Sequence, residues 1–257
     1  MLVKYANITD TFQTITLEEM SSIRLMNRID SKYLATGEQL LELLKLAQRE
    51  YFVQSVCGSR IREYSTVYFD NDEDIMYLEH HNGRLTRQKV RIRSYLDTNL
   101  HFFEIKLKNN HGRTKKKRIQ IDSPDSYVEN GAGQFLADNA ILPIPLEELS
   151  KKVVNHFNRI TLVNYDRTER LTIDFSLSFH NFETGIDRDM KDLVVIEVKR
   201  DSNMCSPIVD ILRDLRIHPS GFSKYCIGMA LTKPGIKRGR FNERIRKIEK
   251  LTHYDNA

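Results

Sequence analysis

Three stretches decide how the chain folds: Lys89-Val90-Arg91-Ile92-Arg93, His101-Phe102-Phe103-Glu104-Ile105-Lys106-Leu107-Lys108 and Lys115-Lys116-Lys117-Arg118-Ile119-Gln120-Ile121-Asp122. Each runs with a period of two. Lys89, Arg91 and Arg93 share a face opposite Val90 and Ile92; Glu104, Lys106 and Lys108 oppose Phe103, Ile105 and Leu107; Lys116, Arg118, Gln120 and Asp122 oppose Ile119 and Ile121. Side chains alternate across a strand, so this spacing predicts a sheet with an apolar row on one side and a charged row on the other.

Outward from this centre the pattern continues. Ile61 to Asp70 reads as a strand, with a short helix near Ile75 to His80, and Arg28 to Tyr33 as another strand. Thr36 followed by Gln39 is a capping box ahead of the apolar face Leu40, Leu41, Leu43, Leu44 and Ala47. Leu17 to Met26 suggests a short helix, and residues 123–158, punctuated by Pro124, Gly131, Gly133, Pro143 and Pro145, an irregular and helical insertion. Strands then resume over Arg159 to Arg167, with Tyr165 and Arg167 on one face. Arg170 to Phe179 sets Arg170, Thr172 and Asp174 opposite Leu171, Ile173 and Phe175, and Asp192 to Lys199 sets Glu197 and Lys199 opposite Val194, Ile196 and Val198. Ser206-Pro207 opens a helix burying Ile208, Ile211, Leu212 and Leu215. The run Phe222 to Leu231 is apolar apart from Ser223, Lys224 and Tyr225, and residues 237–250 read as a basic, solvated helix.

Composition bounds the class. Of 257 residues, 40% are hydrophobic and 29% charged, with 11 Gly and 6 Pro, enough apolar side chain for one large core and too little Gly and Pro for a low-complexity chain. No run approaches the ~18 apolar residues of a membrane span, and the first residues lack the pattern of a signal peptide, so the expectation is a cytoplasmic protein. Three cysteines without CxxC spacing suggest neither a disulfide framework nor a zinc site, and His80, His81, His101 and His111 have no ligand spacing. There is no Walker loop, GxGxxG or GxSxG. The net charge of +5 conceals an asymmetry, because residues 84–118 hold twelve Lys and Arg against Asp97 and Glu104, which leaves a net −5 for the rest. That concentration points to a local polyanion site.

Charged faces on several strands must meet either bulk water or one another around a wet interior. The fixed mixture of signs, Glu104 beside Lys106 and Glu197 beside Lys199, favours the interior. Arg91, Arg93, Lys106, Lys116, Arg118, Arg167, Arg170 and Lys199 together suit several phosphates, Arg through forked hydrogen bonds and Lys as a point charge. Glu197 offers a hard oxygen for Mg²⁺ or Mn²⁺ held jointly with phosphate. Tyr68 and Asp70 fit a pair at the cavity mouth, or equally a core tyrosine and a turn-capping aspartate.

Taken in order, Arg28-x-Asp30-x-Lys32-Tyr33, Tyr68-Phe69-Asp70, Arg91-x-Arg93, Glu104-x-Lys106, Lys116-x-Arg118, Tyr165-x-Arg167, Arg170 with Asp174, Glu197-x-Lys199 and Phe222-Ser223-Lys224-Tyr225 resemble the VTC domain of polyphosphate polymerases. That family belongs to the triphosphate tunnel metalloenzymes, a CYTH-like superfamily. The resemblance spans about residues 20–232. It implies a single α+β domain, an antiparallel β-barrel closed into a tunnel with a charged lumen and helices packed outside, with 233–257 a basic helix or tail. It implies transfer of the γ-phosphate of ATP to a growing inorganic polyphosphate chain with Mn²⁺ or Mg²⁺. Carried over by position, Lys32, Arg91, Arg93, Lys106, Arg167 and Arg170 are expected to serve catalysis, and Lys116, Arg118, Tyr165, Lys199, Ser223 and Lys224 to bind substrate. Glu197 is expected to bind metal. The founding triphosphatases carry Glu-x-Glu-x-Lys where this chain has Arg28-x-Asp30-x-Lys32, one carboxylate fewer. A metal-dependent triphosphatase acting on triphosphate or nucleoside triphosphates, and a non-catalytic polyphosphate-binding module, are the alternatives. A nucleic-acid binder is weaker, since aromatic residues do not interleave with the basic rows.

Overall fold

A computed structural model describes residues 2–21, 28–201 and 205–252. In chain order the elements are α1 (Leu2–Thr9), β1 (Thr14–Thr16), α2 (Leu17–Ser21), β2 (Arg28–Ala35), α3 (Gly37–Ala47), β3 (Tyr51–Ser55), β4 (Arg62–Asp70), α4 (Ile75–His81), β5 (Arg87–Tyr95), β6 (Leu100–Lys108) and β7 (Thr114–Ile121). There follow α5 (Ala132–Asn139), β8 (Ser150–Asn164), β9 (Glu169–Asn181), β10 (Asp187–Asp189), β11 (Val194–Asp201), α6 (Pro207–Asp214), α7 (Lys224–Thr232) and α8 (Asn242–Thr252).

The strands form one sheet in the order β2-β11-β9-β8-β4-β5-β6-β7, every neighbour antiparallel; β3 joins β8 and carries the parallel β1, and β10 joins β9. The α+β, antiparallel expectation holds. Closure does not take the expected form, because β2 and β7 are the ends of the ladder and are not hydrogen-bonded to each other. The sheet nevertheless rolls. Lys106 on β6 interacts electrostatically with Glu197 on β11 and Lys32 on β2, strands that would stand about 24 Å or more away in a flat sheet at the usual strand spacing. Bulges supply some of the curl: β9 steps out of phase at Ser176 (φ 51°), so that Asp174 and Leu177 project to the same side, and the β4–β8 register shifts between Tyr68 and Phe69.

The helices cover the apolar rows. The Thr36 capping box forms as the sequence requires, Thr36 Oγ1 accepting from Gln39 N at 3.3 Å and Gln39 Oε1 from Thr36 N at 3.0 Å. It presents Leu40, Leu43 and Leu44 to a core shared with Ile160, Leu162, Leu171, Ile173, Ile196, Val198 and, from α6, Ile208 and Leu212. Phe135 of α5 packs edge-on to Phe103. Asp70 turns out to be the capping residue: its buried carboxylate accepts from Met76 N and Tyr77 N at 3.0 and 2.9 Å and from Tyr225 Oη at 2.5 Å, tying β4, α4 and α7 together. Tyr68 is a core residue stacked on Tyr225.

α7 packs on the concave side of the sheet. Tyr68 shares a face with Arg91, its cross-strand neighbour, and Val153 lies opposite Tyr68 on β8. Gly228 sits against Phe179 and Val153 so closely that a Cβ would come within 2.7 Å of the Phe179 ring. Any larger residue would push the helix off the sheet.

Several expectations need correction. Residues 150–158 belong to β8, the longest strand, rather than to an irregular insertion; Val153, Val154 and Asn155 are all buried, which hides the period-two signal. At its other end β8 stops at Asn164, and Tyr165 and Arg167 lie in the turn to β9. The helix over 237–250 is formed only from Asn242, and it is packed rather than solvated, burying Ile245 and Ile248 in the main core. Of the helix expected over Leu17 to Met26, α2 covers Leu17–Ser21, and the remainder lies outside the described residues. No helix among the described residues is long and apolar enough to cross a membrane.

Candidate active site

Directly opposed residues in an antiparallel ladder share a face, so the registers give the charged wall row by row. Across β5, β6 and β7 one row is Lys89, Lys106, Lys116, and the next is Arg91, Glu104, Arg118. Glu104 anchors the second. It is fully buried, and its Oε2 accepts from Arg91 Nε and Nη2 at 2.8 and 2.6 Å while Oε1 accepts from Lys116 at 3.0 Å. Burial works against its ionisation, but Arg91, Arg93 and Lys116 prevail and lower its pKa to about 2. Arg118 lies over the Phe102 ring with its guanidinium carbon 4.2 Å from the centroid. In the row beyond, Arg93 is half-buried beside the Tyr64 ring, its Nε buried without a hydrogen-bond partner among the described residues.

The other wall comes from β2, β11 and β9, where Lys32, Glu197 and Thr172 form one row and Asp30, Lys199 and Arg170 the next. Lys32 Nζ donates to Glu197 Oε1 at 2.5 Å, and Lys199 Nζ is 3.5 Å from Oε2. Glu197 is a fifth exposed; burial again opposes its charge, yet Lys199, Lys32 and Lys106 hold its pKa well below the usual carboxylate value.

Lys106 is the cation between the walls. It has no hydrogen bond or ion pair among the described residues, and burial, with the repulsion of Arg91, Lys89 and Lys32 outweighing the attraction of Glu197, lowers its pKa to about 7. A multiply charged anion is the natural complement to such a group.

At the end where α7 enters, Ser223 is that helix's N-cap, its hydroxyl accepting from Cys226 N at 3.3 Å and from Lys89 Nζ at 2.7 Å. Lys224 contacts Asp174 and lies 4.1 Å from the Phe157 ring centroid; burial, partly offset by Asp174, lowers its pKa to about 8. Asp174 is itself clamped by Arg159, whose Nε and Nη2 meet its two oxygens at 2.6 and 2.9 Å.

The fold thus assembles Lys32, Arg91, Arg93, Lys106, Lys116, Arg118, Arg170, Lys199, Ser223, Lys224 and Glu197 on one concave surface. Tyr165 and Arg167 are not brought there. Tyr165 packs edge-on to Phe52 and hydrogen-bonds to Gln48 O at 3.4 Å, and Arg167 (φ 58°) reaches Glu19 at 3.5 Å on the surface. Arg159, within β8 and on the concave face, and Lys89 on β5 are two cations of that surface that sequence reasoning undervalued. The turn-forming run Asn164-Tyr165-Asp166-Arg167, with the Asn164 side chain accepting from Thr168 N and Glu169 N, is the signal that ends the strand and singles out Arg159.

As to metal, no group of three or more His, Cys, Asp and Glu side chains comes together among the described residues. Glu197, ionised and partly exposed, can give one hard oxygen, which fits a Mg²⁺ or Mn²⁺ ion that draws its other ligands from phosphate and water.

The VTC domain family model matches residues 27–233, and the chain belongs to that family. Three solved structures illustrate its likeness to others. A candidate adenylyl cyclase from Hippeastrum, described as having a dominant triphosphatase activity, is 14% identical with a TM-score of 0.49, over 81% of this chain and 98% of its own. A candidate adenylate cyclase from Vibrio parahaemolyticus is 11% identical with a TM-score of 0.47, over 79% and 97%. The RNA triphosphatase Pct1 of Schizosaccharomyces pombe is 8% identical, with a TM-score of 0.30 in its complex with the Spt5 CTD, over 99% and 93%. The sequence has no match among curated proteins.

Proposed function

We propose that the chain is a polyphosphate polymerase, transferring the γ-phosphate of ATP to the end of an inorganic polyphosphate chain held in the channel. The observation that carries this reading is the commitment of the carboxylates. Glu104 is bound by Arg91 and Lys116 and Asp174 by Arg159 and Lys224, both of them buried, which leaves Glu197, itself paired with Lys32 and Lys199, and in the next row the exposed Asp30 as the accessible carboxylates of the two walls. A hydrolase has to activate water, which calls for a free base or a fuller metal-ligand set; a chain-extending transferase does not, because the nucleophile is already an anionic phosphate oxygen.

In this reading the terminal oxygen of the polyphosphate attacks the γ-phosphorus. The bond from that phosphorus to the bridging oxygen of ATP breaks, and ADP leaves with the electron pair, so the chain gains one phosphate and no proton transfer is obligatory. Lys106, Arg91 and Arg93 neutralise the equatorial oxygens, and Lys32, Lys199 and Arg170 hold the flanking phosphates. A bound Mg²⁺ or Mn²⁺ at Glu197 would supply further charge neutralisation between adjacent phosphates. Arg93 Nε and Thr172 Oγ1, buried and without a hydrogen-bond partner among the described residues, are donors that such oxygens would satisfy.

The test is incubation of the protein with ATP and Mn²⁺ or Mg²⁺, with products resolved as a polyphosphate ladder and ADP measured against free phosphate. A ladder with matching ADP, absent in Lys32→Ala and Glu197→Ala, is expected. Free phosphate without a ladder would assign the channel to a triphosphatase. Retention of polyphosphate with neither product would make it a binding module.

A further inference from the structure

The basic surface continues past the central rows. One step beyond the opposed pair Lys89 and Lys106, Arg87 stands directly opposite Lys108, about 7 Å farther along the strands. Like charges directly opposed on one face destabilise a sheet, and here two such pairs follow in succession. Arg87 Nη1 donates to Arg84 O at 2.5 Å, and neither Arg87 nor Lys108 has an ion pair among the described residues.

α8 adds a third cation to this edge. The Arg244 guanidinium lies over Gly221, where a Cβ would stand 3.3 Å from its Nε and Nη2, two residues before Ser223 caps α7. Arg244 also has no hydrogen bond or ion pair among the described residues. Lys89, Arg87, Arg244 and Lys108 all act on the His80 ring, which burial and these cations keep neutral; its Nδ1 faces the buried Cys226 Sγ at 3.1 Å. The facing carboxylate among the described residues is Glu79, whose Oε2 is buried with no hydrogen-bond partner among them and whose pKa burial raises. Three cations from three elements thus converge at one end of the channel with little to neutralise them, and Arg244 lies outside the segment that defines the family.

We propose that Arg87, Lys108 and Arg244 form a rim subsite for the outer phosphates of a linear polyphosphate, engaged by a chain too long for the channel and not by a triphosphate. This rests on the reading of the channel as a phosphate-chain site. The rim draws the free chain toward the channel and holds it while its end lies near Lys106.

The experiment measures the affinity of the full chain for tripolyphosphate and for long-chain polyphosphate, over a range of salt, in the unaltered protein and in Lys108→Ala, Arg244→Ala and the double variant. Thermal melting checks that each variant folds. Each single change is expected to weaken long-chain binding about fivefold and to flatten its salt dependence by about one in the log–log slope. Tripolyphosphate affinity should stay constant, and Arg244→Lys should retain most of the long-chain binding. Unchanged long-chain affinity in the double variant, or an equal loss for both ligands, would overturn the rim while leaving the channel reading intact. Failure of the unaltered protein to bind either ligand would overturn both. Tighter binding of a single-stranded oligonucleotide through the same residues would reassign the rim to nucleic acid.

Discussion

Lys32 Nζ and Glu197 Oε1 are 2.5 Å apart at directly opposed positions of β2 and β11, and Lys199 approaches the other oxygen of Glu197 from the same face. The glutamate is thus held between two amines that also line the candidate phosphate path. A divalent ion held by Glu197 would compete with these amines for its oxygens, and an amine released in that way would be available to phosphate.

Lys32→Ala should therefore cost activity far more than stability. The pair is partly exposed, and such pairs contribute about 0–1 kcal/mol, so melting temperature is expected to shift by a few degrees at most. Turnover of ATP should fall about 100-fold or more. A variant that unfolds in parallel with its loss of turnover would argue against this division.

Asp174→Ala should show the opposite balance. Arg159 and Lys224 converge on this carboxylate in a buried setting, and removing it leaves two uncompensated cations, at a cost of about 3–5 kcal/mol. Urea denaturation measures it; a loss under about 1 kcal/mol would mean that the two cations find other partners.

Arg159 and Arg167 separate two readings of one strand. Arg159 lies on the concave face and Arg167 on the surface beside Glu19. Arg159→Met is expected to abolish polyphosphate binding, whereas Arg167→Ala should leave it within about twofold. The reverse ranking would place the substrate at the β8–β9 turn.

The pH dependence follows from Lys106. Its pKa in the free protein is lowered to about 7 by burial and neighbouring cations, and an anion favours the protonated form. Affinity for tripolyphosphate should hence be full below that pH and decline as pH rises through it, with proton uptake on binding above it. Calorimetry in buffers of different ionisation enthalpy measures the uptake. Lys106→Arg should flatten the profile, since guanidinium stays charged.

Gly228 links packing to the site. Its Cα faces Phe179 and Val153 too closely for a methyl group, so Gly228→Ala should destabilise the protein by about 1–3 kcal/mol and weaken polyphosphate binding by shifting Ser223 and Lys224. Unchanged melting would show that α7 can slide without consequence.

Much of this arrangement could be read from the chain. β5 and β6 follow their alternation because each has one apolar and one largely charged face, β7 does so only toward its end, where Ile119 and Ile121 follow Lys115 and Lys117 on one face, and Thr36 and Gln39 cap α3 through local bonds that need no tertiary context. β8 was obscured because both its faces are covered near Val153 to Asn155, so alternation vanishes where burial is two-sided. Tyr165 and Arg167 kept the parity of a strand through a turn, and parity is blind to the Asn164 side-chain bonds that end it. The phase change at Ser176 depends on a bulge, and the entry of α7 into the concave side depends on Gly228, whose importance is set by Phe179 some fifty residues away.

The missing hydrogen-bonded join between β2 and β7 gives the wall a seam. In a closed barrel, strand number and stagger set the circumference; here the ladder leaves it free at one place. Lys89, Lys106 and Lys116 form a row of like charges across β5, β6 and β7, the strands that lead to this seam. The spacing across the concave surface is consequently held by side chains such as Lys106 and Glu197, which interact across it, and not by a backbone ladder.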